Sequence, residues 1–319
     1  MYTKNKYSLW NTINWSMKYV YFAIGYSFVV FLFFKYFGIK LYIPWQPLTL
    51  IGIAVSFYVG FKNNNAYDRT WEARKIWGGI VNDSRSFASE VTTLIPEPEI
   101  HQQLIFRHIA WLKLLQAQLR MVRTWEKPKK RLSQFTDQMD DVWRDSMVEK
   151  LKDLLDEEDL DYIKTSANPA TQIMHKQYRV IGALELDSYS RIALFELLNH
   201  FFDGQGKSER IKNYPLPRQY ASKSYWLTIM FVAILPFGFV SVVKNYPNFY
   251  WLSFILSAGT IWIFLLMEHI GDTSENPFQG AQTDVPITAI SNGIEVDLLE
   301  MIKQPIPVLD ETREGDYQI

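Results

Sequence analysis

The side chains of this 319-residue chain that could do chemistry are few and poorly placed for bond-making. Its five histidines, at 101, 108, 175, 200 and 269, show no metal-ligand spacing, and no Gly-x-Ser-x-Gly, P-loop or dinucleotide fingerprint occurs. Cysteine is absent, which removes thiol catalysis, disulfides and cysteine metal sites. The acidic run DEEDLD at 156–161 lacks the glycine turn and ligand spacing of a calcium loop, so it reads as a solvated helix start. What remains is a different pattern, in which Ile53, Phe57 and Phe61 fall four residues apart and Asn63 and Asn64 follow. Four residues advance a helix by about 400° and 6 Å, so the three form one narrow apolar stripe. Gly52 and Gly60 flank it, and small residues let neighbouring helices approach closely in a membrane. From spacing alone the stripe is a surface for lipid or for packing against another span.

The elements that position the stripe follow from hydropathy. Crossing about 30 Å of hydrocarbon takes roughly 20 mainly apolar residues in a helix. Four segments qualify: YVYFAIGYSFVVFLFF at 19–34, extended by Trp15 and Phe37; LYIPWQPLTLIGIAVSFYVGF at 41–61; SYWLTIMFVAILPFGFVSVV at 224–243; and YPNFYWLSFILSAGTIWIFLLM at 246–267. They form two hairpins flanked by Tyr and Trp, as interface belts are. Pro44 and Pro47 sit near the start of the second segment, where a helix tolerates them, while Pro236 is expected to bend the third or break its hydrogen-bond ladder. Lys62 is the first charge after the second segment, yet helical spacing continues to about residue 90, which predicts one long helix running out of the bilayer.

Orientation follows from basic residues. The hairpin joins carry only Lys35, Lys40 and Lys244, whereas the other ends hold Lys4, Lys6, Lys18, Lys62, Arg69, Arg74, Lys75, Arg210, Lys212, Arg218 and Lys223. The positive-inside rule then predicts both termini and the long middle in the cytoplasm of a multi-pass inner-membrane protein. The N-terminus carries no cleavable signal pattern. The organisation expected is 1–62 as N-terminal segment and first hairpin (spans about 19–37 and 41–61), 63–223 as a cytoplasmic helical domain, 224–268 as the second hairpin, and 269–319 as a cytoplasmic loop, helix and tail. Amphipathic patterns at 98–122 and in VWRDSMVEKLKDLL and YSRIALFELLNHFF, separated by polar breaks at 126–130, 166–169 and 203–208, make the middle helical. With 33 basic against 34 acidic residues, net charge favours no nucleic-acid partner. His269 beside Glu268, at the end of the fourth segment, reads as an interfacial pair.

GFKNNNAYDRTWEARKIWG, with ERIKNYPLP, ENPF and NGIEVDLLEM, resembles the bestrophin family of ion channels, particularly its bacterial branch, in register over nearly the whole chain. The resemblance implies an all-α membrane protein with four transmembrane helices per subunit and a cytoplasmic helical body, assembled as a homopentamer around a central pore. It implies that Ile53, Phe57 and Phe61 form three stacked rings, a hydrophobic neck that gates by dewetting. It also implies a second constriction, the cytoplasmic aperture, at Ile211. Asn63 and Asn64 match the pattern below the neck, where they would touch a partly dehydrated ion or cap helix ends. Arg69, Glu72, Arg74 and Lys75 read as a solvated face or an intersubunit salt-bridge seam ahead of charges that guide ions into the vestibule. Vertebrate members bind calcium with an acidic run after Asn-Pro-Phe-Gly, but here only Glu275 and Asp284 lie near that loop, so no calcium clasp, metal or cofactor is expected. The expected function is conduction of monovalent ions, cations ahead of anions. The alternatives are a non-conducting membrane-anchored scaffold and, less favoured, a secondary transporter, for which inverted repeats and intramembrane charge are missing.

Overall fold

A computed structural model describes residues 8–37, 41–123, 126, 139–281 and 283–309, and the backbone of a two-residue antiparallel pairing of 313–314 with 317–318. Lys4, Lys6 and Lys40, used above for orientation, and most of the polar break at 126–130 lie outside the described residues. Apart from that pairing and a short 3-10 turn at Pro247–Phe249, the secondary structure among the described residues is α-helix: α1 (Leu9–Trp15), α2 (Met17–Phe37), α3 (Trp45–Leu94), α4 (Pro98–Arg120), α5 (Asp141–Leu151), α6 (Glu157–Thr165), α7 (Pro169–Ala183), α8 (Ser188–Asn213), α9 (Arg218–Val243), α10 (Tyr250–Ser274) and α11 (Ile287–Met301).

The helices group into two units. One holds the described residues of 4–68 and 216–275, the other those of 69–215 and 276–319. The 50-residue α3 belongs to both. It stays helical because Pro47 sits in its first turn, where no backbone donor is lost, and no further proline follows until Pro96, just past its end.

In the first unit, α2, α9 and α10 are long and apolar enough to cross a membrane. The segment at 41–61 does not reach that standard. Gln46, Pro47, Thr49 and Ser56 dilute it and Lys62 ends it, so three candidate spans stand where four were expected. Leu48, Val55 and Val59 of α3 pack with Ala23, Phe231, Leu235, Ile261 and Leu265. Gly52 permits that approach, since a Cβ there would lie 3.0 Å from the Phe231 ring. α9 continues through Pro236 as one helix. The proline deprives the Val232 carbonyl of its usual donor, and the Tyr26 hydroxyl donates to the adjacent carbonyl of Ala233 at 2.6 Å.

The second unit buries the larger apolar core, in which Trp77, Phe87, Trp111 and Phe201 are fully enclosed. The acidic run at 156–161 starts a helix and exposes Asp156, Glu157, Glu158 and Asp161, with Asp159 the exception. Asp156 does cap α6, accepting from the Asp159 amide at 2.8 Å, but Asp159 is buried and receives the Arg107 guanidinium at 2.7 Å. Arg107 supplies what the periodicity of α4 cannot show, a charge turned inward.

His108, the next residue of α4, contacts Phe87, Trp111 and Phe201 and faces the Ser84 hydroxyl at 2.9 Å from Nε2. Burial pushes its imidazole from the ordinary 6.5 down to about 3. Between those values the unfolded chain binds a proton that the folded one refuses. The contribution is therefore fully present above pH 6.5 and lost as pH falls towards 3. One such proton is worth about 1.4 kcal/mol per pH unit. Melting of the detergent-solubilised protein should fall more steeply below pH 6.5 in the wild type than in His108→Leu, and parallel curves would refute this assignment.

Candidate pore-lining site

The apolar stripe and the packed face of α3 lie on opposite sides of the helix. At about 100° per residue, Leu48, Val55, Val59, Lys62 and Ala66 share one direction and Ile53, Phe57 and Phe61 the reverse. The first set is buried to the last few per cent, whereas Ile53 is 51%, Phe57 64% and Phe61 61% exposed. The Phe57 and Phe61 rings stack with centroids 6.4 Å apart. Leu50, equally exposed and one turn earlier, prolongs the line, a residue the motif match did not single out. Beside the stripe an apolar groove of about 730 Å³ opens, walled by Leu48, Gly52, Phe231, Leu235 and Phe264. A helix so divided is finished on one side and unpartnered on the other.

The residues after the stripe separate by burial. Asn63 is half-buried and donates to the Met267 carbonyl at 3.1 Å, so it ties α3 to α10. Asn64 is exposed and donates to Asp68 at 3.3 Å. Lys62, which in the sequence looks like the end of the apolar phase, is instead buried. Its ammonium donates to Glu268 at 2.5 Å and Asp272 at 2.6 Å, and Glu268 also accepts from the Ser224 hydroxyl at 2.8 Å. Glu268 therefore does not pair with His269 as expected, and the His269 ring stacks on Trp15 with centroids 4.3 Å apart. No local sequence signal joins Lys62 to partners more than 200 residues away. The one available hint is that Lys62 falls in step with the small and aliphatic residues of the buried face.

Ile211, expected at the cytoplasmic aperture, is 3% exposed within one chain and belongs to the core of the second unit. Three residues on, Tyr214 at the C-cap of α8 is 71% exposed. Arg69 donates to the carbonyls of Ile211 at 2.6 Å and Tyr214 at 2.8 Å, satisfying the end of α8, and Glu72 pairs with Arg210 at 2.5 Å. Of the four charges near the end of the stripe, Arg69 and Glu72 thus serve contacts within one chain, and Arg74 and Lys75 are exposed.

The acids near the ENPF loop are also engaged. Glu275 accepts from the Leu216 amide at 3.3 Å and lies 3.7 Å from Arg218. Asp284 accepts from the Ala281 amide at 2.9 Å, and its charge favours the protonated forms of Arg120 and Lys212. Burial nevertheless pushes Arg120 down to about 10. Among the described residues no cluster of three or more His, Asp or Glu is arranged to hold a metal ion.

These features define a helical membrane protein with one face of a long helix left for something outside the chain. A family model described as "Bacterial/Fungal Bestrophin protein" matches residues 9–300. The chain belongs to that family. Among curated relatives, the "Voltage-dependent anion channel-forming protein YneE" of Escherichia coli (strain K12) is 26% identical over 84% of this chain and 79% of its own. A protein so described from Mesorhizobium japonicum is also 26% identical, over 82% and 76%. A crystal structure of a bacterial bestrophin homolog from Klebsiella pneumoniae shares the fold, with a TM-score of 0.76 at 23% identity, covering 91% of this chain and 99% of the other.

Proposed function

We propose that this chain forms a homo-oligomeric ion channel, a pentamer in the cell's inner membrane, in which Ile53, Phe57 and Phe61 of the assembled copies make a shared hydrophobic neck. The observation that carries the reading is the two-sided α3: its packed face is complete within one chain, while the opposite apolar stripe and adjoining groove are open. Placing 41–61 at a central axis also accounts for its diluted hydropathy, since a helix facing water and other protein tolerates Gln46, Thr49 and Ser56 better than one facing lipid. Both termini are taken as cytoplasmic. An apolar constriction holds water poorly and blocks hydrated ions until the helices part. Such a device needs no chemistry from the chain, and the reading is of a channel rather than an enzyme.

The conducted species is a monovalent ion. The relatives' description as anion channel-forming proteins moves anions ahead of cations, reversing the order suggested by the sequence. A second narrowing is assigned to Tyr214 in place of Ile211, because only the former presents a side chain outward. Purified protein in a planar bilayer under a potassium chloride gradient should give a reversal potential near the chloride equilibrium value. Tyr214→Ala should change the permeability ratio among anions, and Ile211→Ala should lower stability instead. A reversal potential of the opposite sign refutes anion selectivity, and no current at all favours the membrane-anchored scaffold.

A further inference from the structure

Among the buried charges, one group lies beside the proposed neck and is not used by it. Lys62 immediately follows Phe61, yet its side chain turns to the opposite side of α3 and ends between two carboxylates of α10. The groups facing its ammonium are Glu268 and Asp272 of α10, with the Ser224 hydroxyl of α9 on the far oxygen of Glu268. Asn63 adds a bond to the Met267 carbonyl of α10. Gly271 of α10 lies under both: a Cβ there would come within 2.4 Å of Asn63 Oδ1 and 3.3 Å of Lys62 Cε. Contacts on α10 therefore converge on the two residues after the stripe, and in α3 Lys62 is the one charged member of the buried face from Leu48 to Ala66.

We infer that Lys62, Glu268 and Asp272 form a latch that fixes the rotation and position of α3 against α10 and thereby sets the closed neck. The inference rests on the neck reading above. Its physical basis is that stacked rings seal only in register. A rotation of α3 by one residue moves Phe57 and Phe61 by about 100° around the axis. Packing alone permits small rotations, because Val55, Val59 and Ala66 are smooth and short. An ammonium held by two carboxylates has directional bonds and does not. Lys62 and Glu268 are positioning residues, acting on the pore through Phe57 and Phe61.

The test uses full-length protein in liposomes. Lys62→Met alone leaves a buried, unpaired Glu268 and is liable to misfold, so the decisive variant is the double neutral Lys62→Met/Glu268→Gln, since replacing both members of a buried pair is commonly tolerated. Resting ion flux in that variant should rise about tenfold, the usual scale of coupling between two linked sites. Lys62→Arg should retain wild-type flux. Because the chain has no cysteine, Phe57→Cys introduces one thiol. Its modification by a charged thiol reagent should accelerate when the latch is neutralised, a readout that loss of stability without opening does not move. If Phe57→Ala leaks while the oligomeric double variant shows wild-type or lower flux and unchanged thiol reactivity, the latch is refuted and the neck stands. If wild type and Phe57→Ala are both silent, neck and latch fall together.

Discussion

Phe57→Ala/Phe61→Ala should raise resting ion flux through liposomes by about a hundredfold, the equivalent of roughly 2.7 kcal/mol removed from the barrier at 1.36 kcal/mol per decade. The size follows from what the two rings contribute. Each phenylalanine carries on the order of 150–250 Å² of surface, and around a shared axis every copy adds its own pair. Truncation both widens the passage and shortens the dry stretch, so water enters and the ion keeps its hydration. Stability should change little, because both rings are more than half exposed within one chain and leave no internal cavity. The control is Tyr58→Ala, an exposed aromatic about 100° around the axis from Phe57, which should leave flux near the wild-type value. Equal effects at Phe57 and Tyr58 would mean that the stripe faces lipid.

The stripe was legible because it depends on local periodicity, and the apolar lengths of α2, α9 and α10 were legible for the same reason. The continuation of α3 to Leu94 was visible to about residue 90, since a helix without a breaking residue has no cause to stop at the bilayer edge. What escaped depends on contacts distant in sequence. Lys62 marks a phase boundary only if its surroundings are water, and its surroundings are Glu268 and Asp272. Asp159 belongs to an acidic run that looks solvated until Arg107, 52 residues earlier, folds against it. A motif match, as at Ile211, gives a position along the chain and not the direction of a side chain. One helical turn separates the buried Ile211 from the exposed Tyr214.

Arg107→Met should destabilise the body by about 3–5 kcal/mol, the usual consequence of removing one partner from a buried ion pair. Arg107 is 2% exposed and Asp159 1%, and the guanidinium reaches Asp159 through Nε and an NH2 group, both at 2.7 Å, with Gln177 Oε1 3.4 Å from the remaining nitrogen. Gln177 in turn donates to the Leu104 carbonyl at 2.7 Å. Methionine fills much of the volume but leaves a carboxylate with only Lys176, 3.6 Å away, to offset its desolvation. The double variant Arg107→Met/Asp159→Leu removes both charges and should recover most of the loss, because the desolvation penalty of the pair disappears along with its attraction. Thermal melts of the solubilised protein read both changes directly. A single variant that melts with the wild type would show that water reaches Asp159, and a double variant no better than the single would show that packing, rather than charge, sets the effect at this site.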